Sequence, residues 1–369
     1  MIVAAFLGFS FVVFLVIDSG AAEVGRAMLA LGWLLLPVTL FHLVPLSLSA
    51  LSWRELMAVP GRPRVLAIIM IRWIRESINT LLPVARVGGD FVGARLAHQR
   101  GLTGVQAAAS MIVDSTFGVA TQLVFVVAGV ALLIARVDGV PSVPAVRGLL
   151  IGAGALASLV ALFVGLQHRR MFLRFASFAR RVAPKKWPSA FSGSALAIDE
   201  AVAAAYRRGF PLLRSNLLRL AAWAAGAGEI WLIMRLLHKP FTGIEALVLE
   251  SLISGVSAVA FMVPGALGAQ EGGFVVFGAL VGLQPDTALA ISLSKRVREL
   301  LLGLPGLFVW QCIEGRYFLR RRGGRGGSPQ HHFDGAGVVL GERVAGEGVA
   351  GDSVTGGRPS ASRRSARRI

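Results

Sequence analysis

Long apolar segments, separated by short polar ones, make up most of residues 1–322 of the chain. A helix needs about 20 predominantly apolar residues to cross the hydrocarbon core of a bilayer. Segments that meet this length lie at residues 29–51, 105–134, 147–166, 216–237 and 287–311. Residues 1–17 form a shorter apolar segment without the basic start of a signal peptide, so we interpret it as a retained first helix. The pattern predicts an all-α, polytopic integral membrane helical bundle with six or more spanning helices.

Two regions break this pattern in the same way. Residues 65–101 and 246–282 each begin with an apolar stretch, reach Pro83 or Pro264, and continue with a glycine-rich stretch that carries an acidic residue. Proline and runs of glycine interrupt helices, so each region is predicted to form two short helices joined by a break. Basic loops usually lie in the cytoplasm. If the basic segment 167–214 does so, the two short helices of each region must enter and leave the membrane on the same side. We therefore predict two re-entrant helical hairpins that enter from opposite faces.

The two predicted hairpins also resemble each other in sequence when the chain is aligned with itself so that Pro83 faces Pro264. The separation between aligned positions is here called the repeat offset. The identical pairs at this offset are Pro83/Pro264, Ala85/Ala266, Gly101/Gly282, Leu102/Leu283, Ala107/Ala288 and Ala109/Ala290, and Asp90 aligns with Glu271. Hairpins that repeat and enter from opposite faces form an inverted repeat. In transporters, such paired broken helices mark a binding site near the middle of the membrane.

The distribution of charge limits which partners the chain can have. With 55% apolar and 16% charged residues, against about 25% charged in soluble domains, a water-soluble enzyme is excluded. The net charge of +18 would fit a nucleic-acid binder, but residues 167–214 hold ten basic and two acidic residues, and residues 315–369 hold eleven and four. Basic residues confined to such segments are typical of cytoplasmic loops, so we predict no nucleic-acid partner and two cytoplasmic termini. Residues 1–322 form the predicted transmembrane domain with 167–214 as its cytoplasmic linker, and the Gly/Arg-rich residues 323–369 are predicted to be a disordered cytoplasmic tail.

Four polar residues lie on one face of the first helix of the first hairpin. Arg72, Arg75, Glu76 and Asn79 follow the helical spacing i, i+3, i+4 and i+7, and so share one side of a helix. Charged side chains are costly toward lipid, so this face should contact protein or a wet cavity. Two interpretations are open: the face binds the phosphate of a lipid, or Arg72 and Glu76 form a structural ion pair.

A second polar face lies within the last apolar segment. Lys295 and Glu299 have the i, i+4 spacing of an ion pair, which leaves Arg296 and Arg298 as two extra positive charges. Arginine binds phosphate through two parallel hydrogen bonds, and Glu271 is a candidate partner for one of the two arginines. The alternative is an interfacial face whose charged ends reach water.

The predicted breaks place one acidic residue each among glycines. They comprise Pro83, Gly88, Gly89 and Asp90 in the first hairpin, and Pro264, Gly265, Gly268, Glu271, Gly272 and Gly273 in the second. Glycine lets a backbone approach a ligand closely, and free amides at helix ends bind anions or headgroups. Asp90 and Glu271 could instead bind an amine headgroup, carry a coupling proton, or cap the start of a helix. Asp114, Glu229 and Glu250 are isolated acids in apolar segments, and the sequence leaves open whether they carry protons or pair with arginines.

No catalytic motif is present in the sequence. There is no P-loop, no GxSxG and no paired-carboxylate motif, and the single cysteine, Cys312, excludes a disulfide framework and a cysteine-based zinc site. We expect no enzymatic activity, no cofactor and no metal.

Two stretches of the chain carry a resemblance to a known family. PGALGAQEGG at residues 264–273 and SLSKRVRELLLGLPGLFVWQ at residues 292–311 resemble the flippase-like transmembrane family named after lysylphosphatidylglycerol synthase. The second stretch is especially similar to the subfamily found in hopanoid-biosynthesis gene clusters. By this resemblance Pro264, Gly265, Gly268, Glu271, Gly272 and Gly273 are family positions, and Lys295, Arg296, Arg298 and Glu299 are subfamily positions.

The resemblance implies a multi-pass protein of the bacterial inner membrane, in a family associated with moving lipids between leaflets. The implied ligands are membrane lipids, either an anionic phospholipid or a hopanoid-type lipid, and lipid-synthesis enzymes are candidate partners. Because no aminoacyl-transferase domain follows residue 322, lysyl transfer is not expected. The sequence therefore favours a lipid translocase. The alternatives are a non-transporting accessory protein for lipid-modifying enzymes and a membrane-embedded lipid-modifying enzyme.

Overall fold

The computed structural model describes residues 32–57, 62–82, 88–136, 189–259 and 269–323, together with single positions between 151 and 177. All regular secondary structure in these residues is helical, which confirms the predicted all-α class. The chain divides into two units, Met1–Leu319 and Arg320–Ile369. The described helices lie in the first unit, apart from the last four residues of the final helix.

Ten α-helices carry the fold of the described residues. The first half of the chain contains a 3-10 turn at Gly32–Leu34, α1 (Leu35–Phe41), α2 (Leu43–Leu56), α3 (Val65–Leu81), α4 (Gly88–His98) and α5 (Gly104–Arg136). The second half contains α6 (Ser189–Tyr206), α7 (Gly209–Leu236), α8 (Gly243–Val259), α9 (Ala269–Leu280) and α10 (Pro285–Gly323). Proline suits the start of α10, because the first amides of a helix have no partner within the helix.

Three helical segments of the described chain are long and apolar enough to cross a membrane. They are Leu35–Leu56 (α1 with α2), Gly104–Ala135 in α5, and Gly209–Leu236, which is α7. They coincide with the predicted segments 29–51, 105–134 and 216–237. The predicted segment 287–311 lies within α10, a continuous helix that passes through Pro305. Residues 1–17 and most of 147–166 lie outside the described residues. The chain is thus a polytopic α-helical membrane protein.

Large apolar side chains are exposed on the outside of these helices. Leu66, Phe91, Phe210, Val276 and Phe308 are between 61% and 78% exposed. Such a surface is unfavourable in water and matches the acyl chains of a bilayer. The exposed side chains therefore agree with a membrane location.

The helices α3 and α4 form the first predicted hairpin and pack antiparallel. The backbone amide of Gly89 donates to Asn79 Oδ1 at 2.8 Å, and Arg75 Nε donates to Asp90 Oδ1 at 2.6 Å. A side chain at Gly89 would clash with the backbone oxygen of Arg75. Glycine is therefore required where the two helices meet.

The helices α8 and α9 form the second hairpin in the same way. Gln270 Nε2 donates to Ser257 Oγ at 2.8 Å, and Gly273 packs against Ile253. Four glycines predicted to belong to the breaks instead lie inside helices: Gly88 and Gly89 in α4, and Gly272 and Gly273 in α9. A Cβ at Gly273 would lie 3.1 Å from Ile253, so this glycine serves close helix packing rather than a break. The predicted break residues Pro83, Pro264, Gly265 and Gly268 lie outside the described residues.

The repeat offset also relates the geometry of the two halves. The helices α4 and α9 are each followed by a glycine with positive φ, Gly101 (φ +104°) and Gly282 (φ +79°), a conformation that glycine adopts without strain. The backbone amide of the residue after each glycine donates a hydrogen bond to the carbonyl oxygen five positions earlier in the chain. The N···O distance is 3.4 Å after α4 and 2.9 Å after α9. The first residues of the next helices, α5 and α10, are separated by the same offset. These shared details support the predicted repeat.

By the same offset α2 and α7 are equivalent helices, and they pack antiparallel. Phe41, just before α2, lies against Gly228 late in α7. Ser52, near the end of α2, shares a 2.9 Å hydrogen bond with Ser215 near the start of α7. Equivalent helices run antiparallel when the axis that relates them is perpendicular to them. The first repeat, α2 to α5, and the second repeat, α7 to α10, are therefore inverted relative to each other.

The helix that follows each hairpin, α5 or α10, packs against the first helix of the other hairpin. Gln122 Nε2 of α5 donates to the backbone oxygen of Ser254 in α8 at 2.9 Å, and Trp73 Nε1 of α3 donates to that of Leu302 in α10, also at 2.9 Å. The repeats are thus interlocked, and the interior between them holds most of the buried charged residues.

Candidate functional site

A cavity of about 210 Å³ lies between the two inverted repeats. Its basic lining residues are Arg72, Arg219, Lys295 and Arg298, and its acidic ones are Glu76, Glu229, Glu250 and Glu299. His42 lies in the same wall, and a smaller cavity of about 50 Å³ shares His42, Glu76, Arg298 and Glu299. Charges of both signs therefore meet inside an otherwise apolar bundle.

The first group of charges, here called the aspartate cluster, contains Asp90, Asp114, Arg72, Arg75 and Arg219. Asp114 of α5 is 1% exposed and contacts Arg75 Nη1 at 2.5 Å and Arg72 Nη1 at 3.4 Å. It also accepts a hydrogen bond from Arg219 of α7. Because a buried carboxylate is costly unless it is paired, the three arginines hold α5 against α3 of its own repeat and against α7 of the other.

Asp90, in the first turn of α4, extends the aspartate cluster. It accepts hydrogen bonds from Arg75 Nε at 2.6 Å, from Asn79 Nδ2 at 3.3 Å and from Ser115 Oγ at 2.8 Å. These donors belong to α3 and α5, so Asp90 joins three helices of the first repeat.

The second group, here called the glutamate cluster, contains Glu76, Glu229, Glu250, Glu271 and Glu299 with Lys295, Arg296 and Arg298. Arg296 Nε donates to Glu271 Oε1 at 2.9 Å, so the expected partner of one arginine is confirmed. Lys295, expected to pair with Glu299, contacts Glu250 of α8 at 2.5 Å. Arg298 pairs with Glu229 of α7. Acids on α7, α8 and α9 therefore pair with the three basic residues of this cluster.

Arg298 and His42 lie at the centre of the glutamate cluster. Arg298 Nη1 lies 2.7 Å and 2.6 Å from the two oxygens of Glu229, which is 1% exposed, and it donates to His42 Nδ1 at 2.6 Å. His42 Nε2 lies 3.3 Å from Glu76 Oε1. The ion pair of Arg72 with Glu76 that the sequence offered is present at 3.8 Å. This chain of contacts connects the two clusters along the cavity wall.

Three buried donors of the cavity-lining residues make no hydrogen bond within the described chain: Arg72 Nε, Arg298 Nε and Trp223 Nε1. A buried polar group without a partner costs about 1–3 kcal/mol. The three come from α3, α10 and α7. No group of three His, Cys, Asp or Glu side chains suited to a metal ion occurs among the described residues.

The structure gathers the predicted site residues at one place. Arg72, Glu76, Lys295, Arg298 and Glu299 line the larger cavity. Arg75, Asn79, Asp90, Glu271 and Arg296 belong to the two clusters or contact them. Sequence reasoning missed His42 and Arg219, and it left Asp114, Glu229 and Glu250 without a role. The signal that could have identified them is a single ionisable residue within an apolar helix.

One of three comparisons with known proteins gives a match. Neither the curated proteins nor the solved structures contain a significant match to the chain. The family model described as lysylphosphatidylglycerol synthase TM region matches residues 1–306, which include both hairpins and both charged clusters. The chain therefore belongs to the lysylphosphatidylglycerol synthase TM-region family.

Proposed function

We propose that the protein is a lipid translocase of the bacterial inner membrane that binds a lipid headgroup in its charged cavity. The acyl chains remain in the bilayer while the headgroup passes between the repeats, and no enzymatic step is needed. The observation that carries this proposal is the cavity between the inverted repeats, with four basic and four acidic lining residues. Membership of the family supports a link to lipid metabolism, and the resemblance at residues 292–311 favours phospholipid or hopanoid metabolism.

The cost of the buried charges supports a binding function rather than a passive anchor. A charged residue at the centre of a spanning helix costs about 2.5–3.5 kcal/mol on insertion scales. Apolar residues of similar volume often replace buried ion pairs without loss of stability. Ionisable residues inside membrane helices therefore usually mark the path of a ligand or an ion.

The size of the cavity indicates which part of a lipid it binds. Its volume of about 210 Å³ lies below the range of about 300–1,000 Å³ that is typical of small-molecule pockets. It has room for a phosphate and a few further atoms, but not for acyl chains. The basic groups of Arg72, Arg219, Lys295 and Arg298, which line the cavity, suit phosphate oxygens. A phosphate-containing headgroup, as in an anionic phospholipid, is the ligand that these features favour.

The inverted repeat supports access from both sides of the membrane. The loop charges favour a topology with the ends of the first hairpin in the cytoplasm, those of the second outside, and both chain termini in the cytoplasm. In transporters with such repeats, one repeat rocks against the other around a fixed central site. The cavity, with walls from both repeats, lies where such a movement would expose it alternately.

A non-transporting accessory protein for lipid-modifying enzymes is the alternative. One observation favours it: the cations of the cavity already contact acids of the protein, for example Lys295 with Glu250 and Arg298 with Glu229. A network of this kind could hold the two repeats together without any passage of lipid.

Reconstitution into liposomes separates the two functions. Phosphatidylglycerol with an NBD label on one acyl chain reports leaflet exchange, because dithionite bleaches only the outer leaflet. We expect the wild-type protein to accelerate exchange over protein-free liposomes, and Arg298→Ala to lose this effect. The matched control is Arg95→Ala, which removes a half-exposed arginine from its ion pair with Glu314. This variant should exchange lipid like the wild type. Equal rates with and without wild-type protein would remove the translocase proposal and leave the accessory role.

A further inference from the structure

His42 is the titratable residue at which three helices of both repeats meet. It precedes α2 and is largely buried, with a side chain 15% exposed. Its Nε2 faces Glu76 of α3 at 3.3 Å, and its Nδ1 faces Glu229 of α7 at 3.3 Å and Arg298 of α10 at 2.6 Å. Within the described residues, these are the charged groups that contact its ring.

The two contacts of Nδ1 need different protonation states. An arginine can only donate, so the contact with Arg298 requires an unprotonated Nδ1 that accepts. A contact with the carboxylate of Glu229 requires a protonated Nδ1 that donates. One nitrogen cannot do both. A proton on Nδ1 therefore replaces Arg298 as the partner of this nitrogen, and His42 then bridges Glu229 and Glu76 as an imidazolium.

The charge balance of the two clusters leaves room for this proton. The aspartate cluster holds two acids and three bases, and the glutamate cluster holds five acids and three bases. Together they carry one acid in excess when His42 is neutral. One proton on His42 balances the buried network, and a balanced network is less costly in a medium of low dielectric constant.

Release from His42 changes what Arg298 can bind. Its Nε already has no hydrogen-bond partner, and the residue lines both cavities. Once a proton occupies His42 Nδ1, the Nη1 group of Arg298 loses one acceptor and can donate to the oxygen of an anion in the cavity. Protonation of His42 and binding of an anionic headgroup therefore favour each other.

We propose that His42 is a proton-binding site and that the protein carries one proton together with an anionic headgroup. This inference rests on the proposed translocase function and adds its coupling ion. The proton enters at His42 Nδ1 from one side of the membrane and leaves on the other side, after the headgroup has left Arg298.

The pH dependence of leaflet exchange tests the site. Liposomes with NBD-labelled phosphatidylglycerol are prepared at pH 6 and at pH 8 on both sides. An imidazole titrates within this range, so we expect wild-type exchange to be at least about threefold faster at pH 6. His42→Gln keeps an acceptor for Arg298 but cannot become an imidazolium, and its exchange should not vary with pH. His238→Asn is the matched control, because His238 is exposed and has a positive φ that asparagine tolerates; it should keep the wild-type profile.

The outcomes separate this inference from the proposed function. Wild-type protein without any exchange at either pH contradicts the translocase itself. Exchange with the same pH ratio in the wild type and in His42→Gln, or exchange that does not vary with pH in the wild type, overturns the proton site alone.

A second measurement needs no variant and serves if His42→Gln does not fold. Wild-type liposomes of phosphatidylcholine contain pyranine as an internal pH indicator. Labelled phosphatidylglycerol, the only anionic lipid present, is added to the outer leaflet only, so that no anionic lipid can carry a proton outward at the start. Inward movement of the lipid should acidify the lumen, and a protonophore should abolish the acidification. Inward movement of the lipid at constant luminal pH would overturn the proposal.

Discussion

Asp114 and Lys295 occupy equivalent positions of the two repeats, related by the repeat offset, and carry opposite charges. Asp114 contacts the arginines of the aspartate cluster, whereas Lys295 contacts Glu250 in the glutamate cluster. The inverted fold places both on the long helix that follows a hairpin. The repeats thus share a backbone plan but differ in charge.

Replacing Asp114 by asparagine should destabilise the protein strongly. The change leaves buried Arg75 and Arg219, and partly buried Arg72, without their common carboxylate. Breaking a buried pair of this kind costs about 3–5 kcal/mol. The measurement is the Tm of the purified protein in detergent. Glu314→Gln removes the partner of half-exposed Arg95 and should cost less than about 1 kcal/mol. An equal loss of Tm in both variants would contradict the role given to the aspartate cluster.

Close packing of α10 on α3 should depend on Gly306. A Cβ at this position would clash with Ser77 Oγ and would lie 3.2 Å from Trp73 Nε1. We therefore expect Gly306→Ala to lower the Tm and to slow lipid exchange, because the two repeats no longer interlock. Gly315→Ala adds the same methyl group to the same helix where nothing lies within 4 Å, and it should leave the Tm unchanged or slightly raised. Equal Tm values for the two variants would show that this contact is not needed.

The opposite orientation of the two hairpins can be tested by thiol accessibility. Single cysteines are introduced in a Cys312→Ser background at Gly104 and at Gly243, where a new side chain meets nothing within 4 Å. The loop charges predict that Gly104 lies in the cytoplasm and Gly243 outside. A membrane-impermeant maleimide applied to intact spheroplasts should label Gly243→Cys at once, and Gly104→Cys only after permeabilisation. Labelling of both from the same side would contradict the predicted topology.

Much of this fold follows from local sequence features. Apolar length, proline position and the offset between Gly101 and Gly282 indicated the hairpins and their repeat before any contact was known. Apolar length and proline position depend on neighbours along the chain, and the repeat compares two segments of the sequence, so neither requires knowledge of a tertiary contact. The helical state of Gly272 and Gly273 was not predictable in this way, because their fit depends on packing against another helix.

The pairing of the charges could not be derived from spacing. Lys295 and Glu299 have the right interval for an ion pair, yet Lys295 contacts Glu250, which lies 45 positions earlier in the chain. His42 and Arg219 were overlooked because a lone polar residue in an apolar segment shows no pattern of its own. Their role depends on which helices the fold brings together, and that is tertiary information.

The central claim, that a lipid headgroup passes through the cavity, is tested most directly by filling the cavity without changing its charges. Gly226 of α7 lines the cavity, and a Cβ there would lie 3.1 Å from a carboxylate oxygen of Glu250. Gly118 of α5 is the control, since a Cβ there meets nothing within 4 Å. The initial rate of NBD-phosphatidylglycerol exchange is measured for Gly226→Phe and Gly118→Phe, after both are shown to be folded by their Tm. We predict that Gly226→Phe reduces exchange to the rate of protein-free liposomes while Gly118→Phe keeps the wild-type rate. Wild-type exchange by a folded Gly226→Phe variant would contradict the claim.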